Sequence, residues 1–268
     1  MKYLIVSADD FGISKSINSG IIKAFKDGIV RSIQVMPVAQ EFQNALAQAK
    51  NAGINEMGVH LSLVTRDGKF PQGYSKIACG LFFKKINLQE VELEFRNQLE
   101  CVKCAGIKIS SLSSHEHIHM LPDILRIFVK LAKEYKIPVI RYPRKDKLVG
   151  LISISKFFKM CVLAFFQKKM GAILKNSSLI YTDNFLGLLD SGNLGEETLV
   201  GLINSLGQGC TELVAHPGFL SSEAITESPF HRNCEKELAA LTSDRVKKLI
   251  SNLNIKLITF EEFSAFPR

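Results

Sequence analysis

The chain has 268 residues, of which 46 % are hydrophobic and 22 % charged, with a formal net charge of +8. That balance excludes a disordered or fibrous protein and is enough for a substantial core. The charge excess is local: between Arg141 and Lys175 nine basic residues face the single acid Asp146, and no recognition motif accompanies them, so nucleic acid is not expected as a partner.

The opening "MKYLIVSADDFG" has an apolar run too short for a signal-peptide core or a membrane span. It reads as a first buried strand over 3–8 and sets the expectation of a cytoplasmic protein. Further strands are predicted at 32–37, 56–61, 108–113, 139–142, 179–182, 212–215 and 255–259. Helical patterns lie between most of them. One spans 88–104, with Asn87 as N-cap and Glu90 three residues on. Another spans 123–135, where Ile124, Leu125, Phe128 and Leu131 share a face behind Pro122. Seven or eight mostly parallel strands alternating with helices predict an α/β fold, either a doubly wound sheet or a barrel. Segments 65–85 and 142–176 read as insertions, and no linker divides the chain, so 1–268 is read as one domain. The six cysteines follow no framework spacing, and the lone CxxC of Cys101 and Cys104 falls in a helical pattern, so reduced thiols are expected.

The unusual polar residues fall at the carboxyl ends of the predicted strands: Asp9 and Asp10, His60, the run "SSHEHIHM" with His115, His117 and His119, Asp183, and His216. Parallel α/β folds build their sites at these ends. Singly, each has a plain structural reading, an Asp as a turn or cap residue and a His as a hydrogen-bonded one. His231 in "SPFHRN" is read that way. Two adjacent carboxylates are harder to assign to capping, because the second carries a like-charge cost. One carboxylate with imidazoles from two other strands is a donor set for a divalent metal with open positions. Such a metal activates water and polarises an acyl oxygen. Asp9, beside the ligand candidate Asp10, suits the general base. His216, in "VAHPGF", suits the general acid.

"ADDFG", "GVHLSL", "SSHEHIHMLP", "YTDNFLG" and "ELVAHPGF", in this order and approximate spacing, resemble the YdjC-like carbohydrate deacetylases, a family that includes chitooligosaccharide deacetylases and hopanoid-associated proteins. The resemblance spans nearly the whole chain. It implies a distorted (β/α) TIM-like barrel and removal of an acetyl group from an N-acetylated sugar or sugar-lipid. It implies a divalent metal, Mg2+ first and Zn2+ second, on Asp10, His60 and His115, with Asp9 as base and His216 as acid. His117 and His119 are left as wall or structural residues. The family usually has Asp where this chain has Ser113, a change expected to touch ligand orientation rather than ligation.

Two other functions fit the same residues less well. A metal-dependent phosphoesterase lacks a Walker-type phosphate loop here, and a non-catalytic carbohydrate-binding relative would not need Asp9 and His216 beside a metal. The basic, Phe-rich stretch within 142–175 fits first a barrel helix with a buried apolar side, and second an interfacial helix resting on anionic lipid at the inner membrane face. The sequence sets no oligomeric state; a homodimer is compatible with it.

Overall fold

A computed structural model describes residues 1–65, 68–144, 154–227 and 229–267, with side chains throughout except at 154–163, 223, 227 and 229. Among the described residues eight strands form one sheet: β1 (Lys2–Phe11), β2 (Ser32–Val35), β3 (Glu56–Leu61), β4 (Lys108–Ser114), β5 (Val139–Ile140), β6 (Asn184–Leu186), β7 (Gly209–Ala215) and β8 (Ile255–Leu257). Eleven α-helices accompany them among the described residues: α1 (Lys15–Asp27), α2 (Phe42–Asn51), α3 (Tyr74–Phe82), α4 (Leu88–Cys104), α5 (Pro122–Glu134), α6 (Ile154–Leu174), α7 (Glu196–Asn204), α8 (Ser222–Glu227), α9 (Cys234–Thr242), α10 (Asp244–Asn252) and α11 (Phe260–Ser264).

The strand order is β5-β4-β3-β2-β1-β7-β6, with β8 added on β1, and every pairing is parallel. Strands covered by helices must be apolar on both faces, and β1 is buried from Leu4 to Phe11. A parallel bridge between Val139 and Ile180 links the β5 edge to the chain just before β6. The sheet thereby curls into the distorted barrel that the family resemblance implied, a choice the strand-helix pattern left open, and β3 and α4 fall on the predicted residues.

Two local expectations are corrected. The strand predicted at 179–182 is reduced to that bridge, and β6 begins at Asn184. Asp183 therefore precedes its strand. Its Oδ2 accepts from Cys210 N (2.9 Å) near the amino end of β7, so it is a start-of-strand anchor, away from the site. The insertions hold helices: α3 lies in the first, and α6, packed on α5, lies in the second.

At the opposite barrel end Glu56 meets Glu261, with Lys108 bonded to the latter. Burial, then the hydrogen bond to Glu261, pushes Glu56 from its ordinary 4.5 up to about 7. The folded value exceeds the unfolded one, so stability falls as pH rises from about 4.5 to 7. Glu56 itself is half-buried and screened by water, so its shift is worth on the order of 1 kcal/mol. Glu56→Gln should melt like wild type near pH 5 and about 2–4 °C higher at pH 8; equal melting at both pH values would show that no proton is shared.

Candidate active site

Asp9 and Asp10 are adjacent on β1, and in a regular strand their side chains would point to opposite faces. Here the pairing with β2 shifts register between Ala8 and Phe11, and Asp10 adopts φ 67°. This bulge turns both carboxylates toward one point. His60 Nε2 lies 3.7 Å from Asp9 Oδ2 and 3.5 Å from Asp10 Oδ1. His115 Nδ1 lies 3.0 Å from Asp10 Oδ1. Ligand atoms of Asp10, His60 and His115 all fall within 4.8 Å of one another. One carboxylate and two imidazoles so placed fit a divalent cation that keeps positions open.

The histidine run does not continue β4 as an extended strand. β4 ends at Ser114, and a 3₁₀ turn spans His115–Met120 with Glu116 and His117 left-handed at φ 54° and 53°. The turn separates the three rings. His115 reaches Asp10. His117 lines the pocket wall near Phe185. His119 is buried, stacked on Phe128, with Nδ1 2.5 Å from Ser114 Oγ. Asp10, Glu116 and His117 thus place three non-glycine left-handed residues around one cavity, a concentration of backbone strain typical of functional sites.

A positioning chain stands behind His60. Ser113 Oγ lies 2.7 Å from His60 Nδ1 and donates to Gln34 Oε1 (2.9 Å), while Gln34 Nε2 donates to Ser111 Oγ (3.0 Å). With its hydrogen given to Gln34, Ser113 must accept from His60 Nδ1–H, which leaves the Nε2 lone pair facing the two aspartates. Gln34 fits because residue 58 is Gly: a Cβ there would stand 2.2 Å from Gln34 Oε1. Burial pushes His60 down to about 4, so its ring is uncharged and ready to ligate at neutral pH. Ser113→Ala should weaken divalent-cation affinity about tenfold; an unchanged titration isotherm would remove Ser113 from this role.

Asp9 is held by a group the sequence reading left in the basic stretch. Arg141, at the carboxyl end of β5 and 1 % exposed, donates Nη1 to Asp9 Oδ2 (2.5 Å) and Nη2 to Asp9 Oδ1 (2.7 Å). Its Nε donates to Glu212 Oε1 (2.7 Å). Burial opposes the Asp9 charge, but Arg141 outweighs it and holds the carboxyl below its ordinary value. Asp10 is likewise buried, and His115 and His231 hold it well below that value.

His216 directly follows β7 and lines the same pocket. Its backbone N–H donates to Glu237 Oε2 (2.6 Å), and its ring meets Phe230 edge-on at 4.7 Å. The following Pro-Gly lies against α1, where a Cβ on Gly20 would stand 2.4 Å from Gly218 Cα. Only glycines allow that approach. The pocket, about 410 Å³, collects Asp9, Asp10, His60, His115 and His216 under Tyr74 of α3 and Phe166 of α6, whose rings meet at 6.1 Å. His231, read from sequence as structural, lies 3.1 Å from Asp10 Oδ2 and is fully buried. All five predicted site residues meet here; Arg141 and His231 are added.

A family model described as YdjC-like protein matches residues 3–252. A carbohydrate deacetylase of Brevibacillus brevis is 30 % identical over 273 residues, covering 97 % of this chain and 98 % of its own. One from Clostridium beijerinckii is 30 % identical over 274 residues, covering 97 % and 99 %. Among solved structures, a candidate cellobiose-phosphate cleavage protein from Enterococcus faecalis matches with TM-score 0.77 and 25 % identity over 98 % of each chain.

Proposed function

Because the chain belongs to the YdjC-like family, we propose that it is a carbohydrate deacetylase that removes the acetyl group from an N-acetylated amino sugar, on an N-acetylglucosamine oligomer or a glycolipid. The observation that carries this reading is the union, in one pocket, of the Asp10, His60 and His115 donor set with Asp9 and His216. A divalent cation, Mg2+ or Zn2+, held by those three side chains would supply a Lewis acid for the acyl oxygen and lower the pKa of a water. Asp9, fixed by Arg141, takes the proton of the attacking water. His216 gives a proton to the departing sugar amine. Tyr74 and Phe166 offer aromatic surface to the sugar ring and exclude water from the pocket roof.

Acetate release from short N-acetylglucosamine oligomers and N-acetylglucosaminyl lipids, after chelation and on re-addition of Mg2+ or Zn2+, tests this. Release that vanishes with chelator and returns with metal is expected. Phosphate release from sugar phosphates with no acetate from any member would favour a phosphoesterase; sugar binding with neither product would favour a non-catalytic relative.

Glycolipid access extends the reading to the membrane surface. Phe165 on α6 is 56 % exposed, with Lys169 Nζ 4.5 Å from its ring; the side chains of 145–163 lie outside the described residues. Among the described residues no helix is long and apolar enough to cross a membrane, so the contact would be peripheral. Co-sedimentation with anionic liposomes at low salt, lost at high salt, is expected; none at low salt would remove the membrane from the reading.

A further inference from the structure

The carboxylate of Asp10 faces two ways. Oδ1 turns toward His60 Nε2 (3.5 Å) and His115 Nδ1 (3.0 Å), inside the donor set. Oδ2 turns away from it, to His231 Nε2 (3.1 Å). His231 sits 221 residues along the chain, in a short 3₁₀ turn over Pro229–Asn233. Its side chain is fully buried. The turn is pinned at its far end by Asn233 Nδ2 donating to Gly192 O (2.9 Å). Its first described side chain, Phe230, lines the pocket and packs on His216.

We infer that His231 is a positioning residue that locks Asp10 into one-oxygen ligation. A carboxylate can only accept, so Nε2 carries the hydrogen of this bond. The other nitrogen, Nδ1, is buried and has no partner among the described residues, so among them Asp10 is the polar contact that orients the ring. Without it, Asp10 would be free to turn both oxygens toward a cation. Its φ of 67° is unfavourable for a non-glycine residue, which makes the side chain's fixed contacts the means of holding it in place. With Oδ2 engaged, Asp10 presents Oδ1 alone, and positions remain for water and the acyl oxygen. The inference rests on the proposed metal reading of the site.

Apo wild type, His231→Phe and His231→Gln are titrated with Mn2+ and Zn2+ by calorimetry, and their metal-free melting is compared. Phe keeps the ring volume and removes the donor; Gln keeps a donor. Phe should weaken cation affinity about tenfold, and Gln should recover it to within about threefold of wild type, at similar metal-free melting temperatures. Affinity of the Phe variant within about twofold of wild type, or a Gln variant no better than Phe, overturns the role. Complete loss of binding in both variants overturns it in favour of direct ligation by His231. Should Phe not fold, Gln against His231→Leu makes the same comparison. A wild type that binds neither ion refutes the metal reading itself, and this inference with it.

Discussion

Asp9→Asn is expected to lower kcat/KM for acetate release by about 10²–10⁴-fold, the usual contribution of a positioned general base. Divalent-cation affinity should stay close to wild type, because the clustered donor set is Asp10, His60 and His115. The direction of the Asp9 shift bears on how Asp9 would act in the proposed base role. Burial would favour the neutral acid, but the paired Arg141 guanidinium keeps the carboxyl below its ordinary value. A carboxylate this strongly held is charged throughout the working pH range and is a weak base toward ordinary water. It becomes competent when the water is acidified, which is what a cation beside it would do. Asp9 Oδ2 is also 3.7 Å from His60 Nε2, so ligation is the rival role. If Asp9→Asn abolished cation binding together with turnover, Asp9 would be a ligand; full turnover with binding intact would deny it both roles.

How much of this site could be read in advance depends on how local each signal is. Asp10, His60 and His115 were legible because each falls at the carboxyl end of a predicted strand, and carboxyl ends of parallel strands converge in space. Arg141 satisfies the same rule at the end of β5, but its charge merged with eight basic neighbours along the sequence. Its partners Asp9 and Glu212 are 132 and 71 residues away, beyond any local pattern. Glu212 itself held a clue: an acid in the middle of the apolar strand "GCTELVA" must find a cation if it is buried. His231 had no such signal, since a short 3₁₀ turn after a six-residue helix has no periodicity to read. The histidine run is opaque for the opposite reason. His115, His117 and His119 alternate as on one face of a strand, but the predicted strand ends before them and two consecutive left-handed residues, Glu116 and His117, set the rings apart from that pattern. Nothing in their side chains announces that conformation; tertiary packing imposes it.

Arg141→Met should be the most destabilising of these changes, about 3–5 kcal/mol, or a fall in Tm of roughly 10 °C. The guanidinium is 1 % exposed and makes two hydrogen bonds to Asp9, one to Glu212 and one to Ser7 Oγ (3.2 Å). The two acids do not share it equally. Asp9 is held down, whereas burial pushes the Glu212 carboxyl up despite Arg141, and Glu212 Oε2 has no partner among the described residues. Removing the cation leaves two buried carboxylates facing each other without compensation, and both must then bind protons more tightly in the folded state than in the unfolded chain. A folded value above the unfolded one means that stability is lost as pH rises. The deficit of Arg141→Met should therefore be large at pH 8 and shrink toward pH 5. Adding Glu212→Gln removes one of the two stranded charges and should recover part of the loss, a coupling that denaturant melts of the single and double variants would measure. A deficit independent of pH, with no recovery in the double variant, would mean that Arg141 stabilises the barrel by packing alone and that Asp9 owes its charge to something else.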